Sequence, residues 1–236
     1  MDDALLTRVR AALSAVADPA RATAMQAYMK SAMPYHGVPA TPMRAVFKQL
    51  FADVQWATAE DWEKQVLAIW RGTQFREERY AAIHLSGHRR ADAFQTPDAL
   101  PMYEEMIVTG AWWDYVDTIA ARRVGPLLKR YPDPMTDIML AWSRSDDIWK
   151  RRTSILCQLA FKAETDLELL YACIEPSLSS REFFLRKGIG WALRQYAWTD
   201  PAEIVRYVRA HEDALSPLSK REALKNVGRP SPGSVD

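Results

Sequence analysis

Apolar residues recur along this chain at intervals of three and four, the spacing that lays one hydrophobic stripe along an α-helix. Trp62, Val66, Leu67 and Trp70 follow Thr58 in that rhythm, and Ile204, Val205 and Val208 follow Asp200 and Pro201. No sustained run alternates β-branched or aromatic residues with polar ones, so strands are not expected. Helix starts are marked by an acceptor side chain ahead of proline, as in Asp18-Pro19, Thr41-Pro42 and Asp200-Pro201. The acceptor takes up an unpaired first-turn N–H, and proline loses nothing there because its missing N–H would have had no partner. Residues 34–42 read as a loop, and 228–236, rich in Ser, Pro and Gly, as a disordered tail. The expectation is a single all-α domain over residues 1–227.

The helices also repeat. Ser145-Asp146-Asp147-Ile148-Trp149-Lys150-Arg151-Arg152 resembles Ser180-Arg181-Glu182-Phe183-Phe184-Leu185-Arg186-Lys187 at an offset of 35 residues. In both, a serine opens the segment, an apolar pair follows and two basic residues close it. A period of that size belongs to helical-hairpin solenoids, in which equivalent positions line up from one repeat to the next.

Composition narrows the classes. The 236 residues carry a net charge of only +1, yet the balance is −3 over residues 1–120 and +4 over 121–236, so the basic excess lies in the second half. A face that binds phosphate needs only such a local excess. Cys157 and Cys173 are the only cysteines, and neither a leader-like segment nor a membrane-length apolar run is present. A cytoplasmic protein with reduced thiols, without membrane association, is expected.

The least ordinary string is Ala111-Trp112-Trp113-Asp114-Tyr115-Val116-Asp117. On a helix, Trp113 and Asp117 share a face. The 35-residue offset carries Asp117 to Arg152 and then to Lys187, with Trp191 one turn beyond. Such a row suits chemistry at a sugar, since a basic residue can hold phosphate while a carboxylate stabilises positive charge at an anomeric carbon, and indole faces attract cations. The same residues admit plainer roles: tryptophans as core, Arg152 as a solvated helix face, the aspartates as first-turn acids. His84 and His88 stand at i and i+4 but lack the glutamate of a zinc-hydrolase motif, so neither metal nor cofactor is expected.

The string at 112–117 resembles that of the AlkD-like alkylpurine DNA glycosylases. Further similar stretches are Glu105 to Thr109, Asp147-Ile148-Trp149 with Arg152, Glu182-Phe183-Phe184 with Lys187, Ile189 to Arg194, Pro217 to Ala223, and Ala27 to Lys30. The resemblance implies HEAT-like repeats stacked into a curved right-handed solenoid with a concave basic face. It also implies excision of cationic N3- and N7-alkylated purines from duplex DNA by a monomer. Asp117 would be the catalytic carboxylate, Trp113 and Trp191 the sugar-facing aromatics, and Arg152 the phosphate contact. Lys187, Arg194, Lys220, Arg221 and Tyr28 would add DNA contacts. Residues 110–111, Gly-Ala, depart from the family pattern. The rival reading is a non-catalytic helical-repeat protein that binds DNA or another protein.

Overall fold

Three of the expected caps form. In the computed structural model, which describes residues 3–229, Asp18 accepts from the N–H of Arg21 at 3.1 Å, Thr58 from Asp61 at 3.1 Å and Asp200 from Glu203 at 2.9 Å. They open α2 (Pro19–Met29), α4 (Ala59–Gly72) and α13 (Pro201–Ala210). The Thr41 start is a correction: α3 (Ala40–Leu50) begins one residue before Thr41, behind Pro39. Pro42 then occupies the third helical position, where its missing N–H still costs no intrahelical bond. All regular structure among the described residues is helical. None of these helices is long and apolar enough to cross a membrane. The expected disordered tail lies outside the described residues, apart from Gly228 and Arg229.

The described residues form two compact units that divide after Met102. In the first, α1 (Asp3–Ser14) packs on α3, α4 and α5 (Arg76–Ser86) around Leu13, Phe47, Phe51, Trp62 and Ile69. Fully burying an aliphatic or Phe side chain stabilises by about 1.5–3 kcal/mol. His84 lies against Phe47 and Phe51, and His88 against Trp56, so both histidines take part in aromatic packing. The segment around Tyr35, His36 and Val38 has no regular structure yet is buried. Its backbone donors are satisfied from α5, because the carboxylate of Glu77 accepts from the N–H groups of His36, Gly37 and Val38 at 2.9–3.1 Å. Beside it, buried Glu78 accepts from Arg10 at 2.8 Å and from the Gln74 N–H at 2.7 Å, with His36 Nε2 at 3.5 Å.

The second unit carries the repeat, and α6 (Leu100–Gly110) leads into it. One row of helices is α7 (Trp113–Ile119), α10 (Ile148–Leu156), α12 (Phe183–Tyr196) and α14 (Pro217–Ala223). Its first three members begin at 113, 148 and 183, each 35 residues after the last. A second row, α9 (Pro132–Ser143), α11 (Leu167–Ile174) and α13, begins at 132, 167 and 201. A π-helical turn over Ala120–Val124 joins α7 to α8 (Gly125–Arg130). Neighbours within the first row pack directly, α7 on α10, α10 on α12 and α12 on α14. Their shared core includes Ile155, Leu156, Leu185, Ile189 and Leu193. The repeated serines act alike: Ser145 Oγ accepts from the Asp147 N–H and Ser180 Oγ from the Glu182 N–H, both at 3.2 Å. Cys157 and Cys173 are buried free thiols, and burial pushes both up in pKa, Cys173 to about 12.

Candidate active site

Helix α6 ends at Gly110, and the chain reverses through Ala111, which takes a left-handed backbone with φ 44°. Trp112 is extended at φ −150° and precedes the first turn of α7. This turn sets Trp113 and Asp117 four residues apart on α7, on one face of the helix. Trp113 is half-buried and Asp117 is 8% exposed.

Across the row, Arg152 of α10 meets Asp117 as a fork. Its Nε donates to Asp117 Oδ1 at 2.7 Å and its Nη2 to Oδ2 at 2.8 Å. Its Nη1 donates to the Phe184 carbonyl of α12. Room for the guanidinium comes from Gly188, where an added Cβ would stand 3.1 Å from Nη1. One arginine thus ties three consecutive repeat helices together. Burial pushes the Asp117 carboxyl up, the fork and charge of Arg152 pull it down, and Asp114 adds a smaller upward push; the outcome is a raised pKa. The paired guanidinium opposes protonation, while the protein around the carboxylate keeps water and its screening away. Two of the four or so lone-pair directions of a carboxylate are taken by the fork, which leaves acceptor capacity on Asp117.

With 3% of the residue exposed, Arg152 commits three of its five N–H donors inside the protein. The rest of its basic triplet is also employed: Lys150 pairs with Glu104 at 2.6 Å, and Arg151 bonds Ser177 and the Pro176 carbonyl.

Trp191 lies on α12 three residues beyond Gly188, hence on the same face, and is half-buried against the core. Lys187 and Arg194, one turn to either side of Trp191, both turn to Glu222 of α14, at 2.9 and 2.6 Å. Lys220 is half-exposed with its Nζ 3.1 Å from the Glu212 carbonyl, and Arg221 is exposed. Tyr28, 79% exposed on α2 of the first unit, is no core residue.

Two participants escaped sequence reasoning. Gly188 gives no sign in a single sequence that a guanidinium needs its space. Glu222 could have been noticed as the acid inside the basic run Lys220 to Lys225. Trp112 packs 5.3 Å from Phe184 and 6.4 Å from Trp149, with its indole N–H buried and unpartnered. Among the described residues no group of three His, Cys, Asp or Glu side chains could hold a metal ion.

No curated protein matches the chain. A solved structure of a predicted DNA alkylation repair enzyme from Enterococcus faecalis superposes with a TM-score of 0.80 at 29% identity, covering 90% of this chain and 97% of that one. The family profile described as DNA alkylation repair enzyme matches residues 9–227. A match over so much of the length, on a repeat whose row of helices aligns Asp117 with Arg152, places the chain in a family: it belongs to the DNA alkylation repair enzymes.

Proposed function

We propose that the protein is a monofunctional DNA glycosylase that hydrolyses the N-glycosidic bond of cationic N3- and N7-alkylated purines in duplex DNA. The observation that carries this reading is the buried Asp117–Arg152 fork. Buried ion pairs are poor stabilisers, because desolvating both charges cancels most of their attraction. A carboxylate held in such a pair, with half-buried tryptophans on the same row of helices, therefore argues for chemistry.

An N3- or N7-alkylated purine already bears positive charge. When the bond to C1′ breaks, its electron pair returns to the base, which leaves neutral without a general acid. Positive charge then builds at C1′, where ionised Asp117 stabilises it in a water-poor setting. Water adds to C1′ and passes its proton to the carboxylate. Trp113 and Trp191 are assigned to packing against the deoxyribose, their π-faces turned to the developing cation. Arg152 serves as the positioning residue that fixes the Asp117 rotamer and keeps it charged.

Asp117→Asn preserves shape and removes the charge, and it should lower base release from methylated duplex DNA by about 100-fold or more, the scale of losing one electrostatic stabiliser. Mass-spectrometric detection of freed base provides the measurement. Release at the parental rate would remove Asp117 from catalysis. A gel shift with no released base from the parent protein would favour the non-catalytic binding reading.

A further inference from the structure

We infer that Glu222 is a positioning residue that gathers Lys187, Arg194 and Lys225 into one clamp for the backbone phosphates of duplex DNA, beside Trp191. The inference rests on the reading of this protein as one that works on duplex DNA. Glu222 is the buried member, its side chain 7% exposed, while the three cations are 38%, 23% and 51% exposed. Lys187 Nζ stands 2.9 Å from Oε1, Arg194 Nη1 2.6 Å from Oε2 and Lys225 Nζ 3.7 Å from Oε1. Lys187, Trp191 and Arg194 follow one face of α12 at i, i+4 and i+7, so the clamp brackets the tryptophan.

The close approach of α14 to α12 makes this possible. A Cβ on Gly190 would stand 2.6 Å from Glu222 Cβ and 2.9 Å from the Ser219 carbonyl, so only glycine lets α14 come in. Ser219 Oγ locks the contact by donating to the Arg186 carbonyl at 2.9 Å. A structural ion pair needs one cation, whereas this carboxylate has three, which leaves two positive charges unbalanced and repelling one another. An anion laid over them relieves that repulsion. A phosphate approaching from solvent meets the cations first, with the carboxylate beneath them. An ammonium has three donors and a guanidinium five, so both keep capacity after bonding Glu222.

The test is fluorescence anisotropy of a labelled, undamaged duplex with the full chain across a salt series. Charge counting alone predicts that Glu222→Gln, which adds a positive charge, tightens binding. The clamp predicts the reverse, roughly 5-fold weaker binding near 150 mM salt, with a slope of log K against log salt shallower by about 0.9 for each phosphate no longer neutralised. Glu222→Asp should recover part of the slope, and loss of folding alone would lower the active fraction without changing it. If Glu222→Gln fails to fold by circular dichroism, Arg194→Gln and Lys187→Gln decide, each reducing the slope by about 0.9. Equal or tighter binding by folded Glu222→Gln, unmoved slopes in the lysine and arginine variants, or no duplex binding by the parent would overturn the inference. Base release is a separate readout: a parent that binds duplex through this clamp yet frees no base would sink the glycosylase reading and leave the clamp standing.

Discussion

At the scale of single residues, the behaviour of Asp117 turns on Arg152. Burial raises the carboxyl pKa and the guanidinium opposes that rise. If the ionised form is the active one, base release should climb with pH along an acid limb that lies above the ordinary aspartate value of 3.8. Removing the opposing partner in Arg152→Gln should move the limb to higher pH and cost about 3–5 kcal/mol of stability, the usual penalty for orphaning one member of a buried pair. A pH–rate profile and a denaturant titration read the two effects; an unmoved limb in a fully stable variant would break the assignment. The sequence made Asp117 and Trp113 conspicuous because such a string is rare. It could not show Arg152 turned inward, since a Lys-Arg-Arg run reads the same whether its third member faces solvent or a carboxylate.

At the scale of elements, the reversal between α6 and α7 aims the site. Ala111 adopts a left-handed backbone that a Cβ disfavours, directly after a glycine that does not. Ala111→Gly should relieve about 1 kcal/mol of that strain and raise the melting temperature by roughly 2–4 °C. A thermal melt checks this; a lower melting point would mean that the turn gains more from alanine's restricted unfolded state than it loses in strain. The helices themselves were legible because caps and spacing are local signals. The 35-residue offset also foretold the register of α7, α10 and α12. The buried segment around His36 was not legible as buried, because its backbone donors are satisfied by Glu77, forty residues away and outside any local pattern.

At the scale of the whole molecule, the two units answer differently to acid. The candidate chemistry lies in the second, while the first depends on Glu78. Burial pushes that carboxyl up, but hydrogen bonds from His36, Arg10 and the Gln74 backbone more than offset it and hold it down to about 2. A depressed carboxylate stabilises the fold above its unfolded pKa and loses that contribution as pH falls through the folded value. About 3 kcal/mol should therefore drain away between roughly pH 4.5 and 2. Thermal melts against pH should show this slope and Glu78→Gln should flatten it; an unchanged slope would exclude Glu78 as its source. The fold class was legible from periodicity, because three- and four-residue spacing is a local signal. The two buried sulfurs have a consequence of another kind. A repair enzyme for alkylated DNA works amid the methylating electrophiles that cause the damage, and a cysteine is attacked through its thiolate. Burial holds the Cys173 thiol up near 12, so it stays protonated at neutral pH, and Cys157 is fully enclosed. Intact-mass measurement after exposure of the native protein to methyl iodide should find both cysteines unmodified, so that the repair protein survives the exposure that creates its work.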